Sequence, residues 1–114
     1  MQRTRTFIDS GVLIAAFQGQ SDIADNALKI LDDENRDFIT SDFVLLEVLP
    51  KPVYHKNDDE RSFYEVFFNA VKRILRSSSS LVEEAQDEAE QVGLSAVDAL
   101  HISAAKRARC DELV

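Results

Sequence analysis

The sequence predicts an α/β domain, a short parallel sheet sandwiched by helices. Two observations carry that expectation. Brief apolar runs of strand length, around Phe7-Ile8 and Phe38-Ile39, alternate with segments whose apolar residues recur at helical spacing. The helical segments also open on good capping residues and close on helix breakers. A length of 114 residues fits a single domain, here residues 1–114. With 45% hydrophobic residues, 3 Gly and 2 Pro, collagen-like and low-complexity classes are excluded.

The elements follow in order. Arg5 to Ile8 reads as a strand ending at Asp9, and Asp9 and Ser10 can both cap a helix from Gly11 to Phe17. Gln18-Gly19-Gln20 breaks that helix. Ser21 is placed to cap the next, whose apolar face is Ala24, Ala27, Leu28 and Leu31. Phe38-Ile39-Thr40 is a second strand, and Ser41 caps a third helix that runs to about Pro50, where Pro50 and Pro52 disturb it. A long helix is expected from Asp58 to Arg76, with Phe63, Phe67, Ala70, Val71 and Ile74 buried. Its acids Asp58, Asp59 and Glu60 lie at the start and Lys72, Arg73 and Arg76 at the end, as the helix dipole favours. A third strand is expected near Ser80 to Val82, then an acidic helix with Val82, Ala85, Ala89 and Val92 inward and Gly93 at its end. Ser95 caps a last helix from Ala96 to about Arg109, and Glu112-Leu113-Val114 reads as the start of a further strand.

The charge pattern narrows the function. There are 13 basic and 21 acidic residues, a net charge of −8, and six of the acids fall between Leu81 and Asp98 with no Lys or Arg among them. A solvated helix face explains that run, and the rest of the surface is nearly neutral. Such a chain is not a nucleic-acid binder held by bulk charge alone. The longest apolar run, Val12 to Phe17, is six residues, far below the roughly 20 that span a bilayer. No export signal is visible, and the single cysteine, Cys110, suits a cytoplasmic location.

Three acids interrupt apolar pattern. Asp9 follows Phe7-Ile8 at the carboxyl end of the first strand, where open α/β sheets place ligands, although a helix N-cap is an equally physical role for it. Glu47 stands in Phe43-Val44-Leu45-Leu46-Glu47-Val48-Leu49, where every other residue is apolar, so it is expected to be buried and in need of a partner or cation. Asp98 stands three residues after Ser95, the spacing of a capping box, with His101 one turn further on. For that histidine, packing or a local hydrogen bond is the commoner role than metal ligation. Were the three carboxylates to converge at about 5 Å, each pair would repel by roughly 3 kcal/mol at an effective dielectric near 20. A divalent cation relieves that repulsion, and oxygen-only ligands favour Mg²⁺ or Mn²⁺ over zinc. No zinc-ligand spacing, P-loop, dinucleotide fingerprint or G-x-S-x-G elbow competes.

Phe7-Ile8-Asp9-Ser10, then Thr40-Ser41-Asp42-Phe43-Val44-Leu45-Leu46-Glu47, then Gly93-Leu94-Ser95-Ala96-Val97-Asp98-Ala99-Leu100-His101 occur in that order. Together they resemble the PIN domain family, whose small members include the VapC-type toxins of prokaryotic toxin–antitoxin pairs. The resemblance covers essentially the whole chain. It implies a metal-dependent endoribonuclease holding Mg²⁺ or Mn²⁺ on Asp9, Glu47 and Asp98, with Ser10 supporting the site. RNA is then the substrate, an antitoxin protein the partner and a homo-oligomer the assembly, with no membrane involved. Substrate phosphates would meet Arg3, Arg5, Lys51, Lys56, Lys106, Arg107 or Arg109, in a salt-sensitive way. The family pattern continues into a strand ending in Thr or Ser and then a fourth acid. This sequence reaches Val114 first, so its last strand is expected to be truncated, and Gly11 stands where the family often has Asn. A non-catalytic PIN-like protein-binding module lacking the fourth acid is the alternative. A phosphotransfer role for Asp9 is disfavoured, because no second acid follows two residues on.

Overall fold

The computed structural model describes residues 3–114. Strand β1 (Thr4–Phe7) leads into Ile8, and Phe7 and Ile8 are fully buried. Asp9 adopts an extended backbone and its carboxylate accepts the Val12 N–H at 3.2 Å, starting α1 (Ser10–Gln18). Helix α2 (Ser21–Leu31) follows Gly19 closely. Gln20, not Ser21, holds its cap position and makes no side-chain bond there, while Ser21 is the first helical residue. Ala27 is buried and Ile30 and Leu31 pack on the core, whereas Leu28 is exposed, so the buried face lies to one side of the expected one.

Strand β2 (Arg36–Ser41) ends on Ser41, whose hydroxyl caps α3 (Asp42–Val48) through the Val44 N–H. Pro50 starts a separate short helix, α4 (Pro50–Tyr54), at a position where its missing N–H costs nothing. Asn57 caps α5 (Asp58–Ala70) through the Glu60 N–H.

Helix α5 stops six residues short of the expected Arg76. Val71 turns extended, the Lys72 N–H donates to the Phe38 carbonyl at 2.8 Å, and Arg73–Leu75 form β3 against β2. Pairing there buries Leu75 and satisfies backbone groups that a lengthened helix would carry past the sheet. The third strand expected near Ser80 to Val82 does not form. Ser78 accepts the Leu81 N–H and caps α6 (Ser79–Val92), which buries Leu81 and Ala85 and leaves Val82 and Val92 exposed. Gly93 ends α6 in the left-handed region at φ 76°, the conformation in which glycine meets no Cβ penalty. Ser95 caps α7 (Ala96–Arg107) through the Asp98 N–H. The chain then enters β4 (Glu112–Leu113), a strand where one was expected.

The sheet has order β3-β2-β1-β4 and every pairing is parallel. The ladder on β1 runs one residue past β4: the Val114 N–H donates to the Phe7 carbonyl, and the Asp9 N–H donates to the Val114 carbonyl at 3.0 Å. Arg5 strengthens this seam by donating from its guanidinium to the carbonyls of Ala108 and Arg109. Helix α1 packs on α2, α3 and α5, while α6 packs on α7, one helical layer on each face of the sheet. The core joins Phe7, Ile8, Leu13, Ile39, Val44 and Leu81 with Ala104 of α7. Among the described residues no helix is long and apolar enough to cross a membrane.

Candidate active site at the carboxyl edge of the sheet

The chain moves outward from β1 to β2 to β3 and then returns to the other side of β1. The reversal lies between β1 and β4, and in open α/β sheets the crevice beyond the carboxyl ends of the strands at such a point receives ligands. Asp9 stands there. Its own N–H is fixed by Val114 and the preceding Ile8 N–H by Ile39. Asp9 therefore meets both expectations of it, an N-cap and an edge residue, with Oδ1 engaged by the cap. Gly11 leaves that carboxylate room, since a Cβ at this position would lie 3.3 Å from Oδ1. Ser10, beside it, is the first residue of α1 and partly buried.

Glu47 lies in the last turn of α3, the helix that follows β2 at the same edge. It is not buried as expected: its side chain is 34% exposed and the neighbouring Leu46 is 66% exposed. Helix α3 inserts Val44 and Val48 into the core and turns Leu46 and Glu47 outward. The partner that the apolar context demanded is nonetheless present. His101 Nε2 lies 2.8 Å from Glu47 Oε1. A carboxylate only accepts, so the imidazole donates from Nε2. His101 is buried, packs its ring on Phe7 at 6.1 Å and leaves Nδ1 without a partner among the described residues.

Asp98 occupies the first turn of α7, one turn before His101, and is exposed. Helix α7 feeds β4 at the sheet's amino edge, so its first turn lies at the carboxyl edge, with Asp9 and Glu47. The Glu47–His101 bond thus joins the two helical layers across that edge. The three carboxylates share an edge but form no ready-made cage: among the described residues no group of three or more His, Cys, Asp or Glu side chains is placed to hold a metal ion. The donor set still suits a hard divalent cation. It is oxygen-only, Asp9 and Glu47 each keep one oxygen outside the bonds described, and Mg²⁺ needs only one or two carboxylates beside water and phosphate. The acids near the end of the chain do not supply another ligand. Asp111 accepts the Arg5 N–H, and Glu112 accepts the Thr6 hydroxyl and pairs with Arg36, at the opposite edge.

One acid of this region was read from sequence only as a dipole partner. Glu60 is buried, and its carboxylate accepts from Tyr64 Oη (2.7 Å), Gln18 Nε2 (2.6 Å) and Asn57 Nδ2 (3.2 Å). With Glu47, Lys51, Gln18 and Tyr64 it lines a cleft of about 170 Å³. Of the cations considered for substrate phosphate, Arg3 is held by Asp37, Lys106 by Glu88 and Arg107 by Glu84, and Arg5 by backbone carbonyls. Of the others, Lys51 lies in the cleft that Glu47 also lines.

Fold and edge together define a small, parallel α/β domain with acidic residues at the carboxyl edge of its topological switch point. Residues 6–113 match the model of the PIN domain, and the chain belongs to the PIN domain family. No curated protein matches it. Solved structures share the fold, three of them as follows. The toxin of Mycobacterium tuberculosis named VapC20, described as cleaving the sarcin-ricin loop, has a TM-score of 0.76 at 16% identity, covering 95% of this chain and 86% of its own. A toxin–antitoxin complex from Klebsiella pneumoniae gives 0.74 at 18%, covering 96% and 84%. VapBC2 from Rickettsia felis, bound to a promoter DNA fragment, gives 0.70 at 20%, covering 97% and 86%.

Proposed function

We propose that this chain is a divalent-metal-dependent endoribonuclease of the PIN type, the toxin of a toxin–antitoxin pair. The observation that carries the reading is the placement of Asp9, Glu47 and Asp98, from three separate elements, on the carboxyl edge of a PIN sheet. These three residues would hold Mg²⁺ or Mn²⁺. Bound there, the cation would supply charge neutralisation at the scissile phosphate and a lowered pKa for the attacking water. The protein's own part is to fix the edge. Val114 and Ile39 hold the backbone around Asp9, Ser95 holds the first turn of α7, and His101 holds Glu47. Lys51, beside Glu47, offers a counter-charge to a substrate phosphate.

The antitoxin reading has a surface to draw on. An apolar groove of about 550 Å³ runs between α1, α2 and α5, lined by Phe17, Phe38, Phe63, Val66 and Phe67. The same groove suits the second reading, a PIN-like binding module without turnover.

Cleavage of an end-labelled RNA pool in Mg²⁺ or Mn²⁺ separates the two. Asp9→Asn, Glu47→Gln and Asp98→Asn should each slow cleavage by about 10²-fold or more, as expected for loss of a group acting on transition-state charge. A wild-type chain that binds neither cation and cuts no RNA would leave the binding module standing.

A further inference from the structure

We propose that His101 is a positioning residue: its Nε2–H holds the Glu47 carboxylate by Oε1 and presents Oε2 to a divalent cation at the carboxyl edge. The inference rests on the metal-dependent reading above. It adds a residue that touches neither the cation nor the RNA.

The geometry is specific. The 2.8 Å contact joins an acceptor-only carboxylate to a ring nitrogen, so the proton sits on Nε2. That proton removes Nε2 from the list of metal ligands. The other nitrogen, Nδ1, is buried without a partner, which is tolerable for a bare acceptor and far costlier for an N–H. The ring has little freedom to turn, being buried and set against Phe7. Glu47, by contrast, lies on an exposed part of α3 and has nothing else described that restrains its carboxylate. One helix, α7, therefore contributes Asp98 directly and, one turn later, fixes an acid from the opposite layer. Hydrogen-bonded support of this kind for a ligating carboxylate typically accounts for a 10–100-fold difference in metal affinity.

The opposite role for the same contact would have His101 compete with the cation for Glu47. The two differ in sign. Mn²⁺ titration, followed by the electron paramagnetic resonance signal of the free ion, distinguishes them on the wild type, His101→Phe, His101→Gln and Asp98→Asn. His101→Phe keeps a ring against Phe7 and loses the donor; it should bind Mn²⁺ roughly 10–100-fold more weakly. His101→Gln restores an N–H donor and should return to within a few-fold of the wild type, a rescue that a purely packing role would not give. Binding by His101→Phe that equals or exceeds the wild type, with Asp98→Asn weakened, overturns the positioning role and leaves the metal site intact. Wild-type Mn²⁺ binding that is absent, or indifferent to Asp98→Asn, overturns the metal reading and this inference with it. Should His101→Phe fail to fold, the ¹H–¹⁵N imidazole spectrum of the wild type decides. The Nε2–H signal of His101 persists on Mg²⁺ saturation if the residue positions Glu47, and its loss overturns the proposal.

Discussion

Tyr64→Phe tests whether the buried Glu60 network holds α1 against α5 beside the candidate site. The phenol is fully buried, and its hydroxyl donates to Glu60 Oε2 at 2.7 Å. A hydrogen bond to a charged group contributes about 1.5–3 kcal/mol. Glu60 would keep its bonds from Gln18 and Asn57, so the carboxylate is not stranded and the loss falls at the low end, ~1.5 kcal/mol. At about 2.1 cal/mol/K per residue, 114 residues give an unfolding entropy of about 0.24 kcal/mol/K, so Tm should fall by about 6 °C. Calorimetry at pH 7 measures it directly. The alkaline arm is more specific. Burial first, then the bond to Glu60 and the charge of that carboxylate, push the Tyr64 phenol well above its ordinary value near 10. Above pH ~10 the unfolded phenol ionises while the folded one keeps its proton, so stability falls as pH rises. Tyr64→Phe should flatten that fall relative to the wild type. A Tm change under about 1 °C, with the alkaline limb unaltered, would refute the hydroxyl's contribution.

Two further outcomes are expected. Gly93→Ala should destabilise the chain by about 1 kcal/mol in urea unfolding, because the left-handed cap of α6 penalises a Cβ even where space is open; Gly93→Asn should cost less. Lys51→Ala should raise KM for RNA and reduce the salt slope of binding by about one, as for a single phosphate contact, with the melting temperature little changed.

Local signals in the sequence sufficed at three helix starts, though not at Ser21, which enters α2 as its first residue instead of capping it. Asp9, Ser41 and Ser95 each cap the helix expected of them, because a cap is a contact over three residues. Strand β3 was hidden for the opposite reason. Ile74 continues the helical stripe of Phe63 and Phe67, and only pairing with β2, more than thirty positions earlier, favours the extended form. Ser78 likewise caps α6 inside a serine run that gave no register. At the site, Asp9, Glu47 and Asp98 could be chosen one by one as acids out of pattern. The bond from His101 to Glu47 spans 54 positions and could not be read from either segment. Glu60 was concealed by a plausible local role, since an acid in the first turn of a helix needs no further explanation.

The seam between β1 and the last residues sets an order of events during synthesis. Strand β1 can pair with β2 once about forty residues are available, but its other edge waits for Asp111 to Val114. At 5–20 residues per second that interval is about 4–14 s. Throughout it, β1 presents an open edge able to pair with a stranger strand, and the Asp9 amide lacks the Val114 carbonyl that fixes it. The candidate site is therefore fixed only once two segments more than a hundred positions apart have both been made.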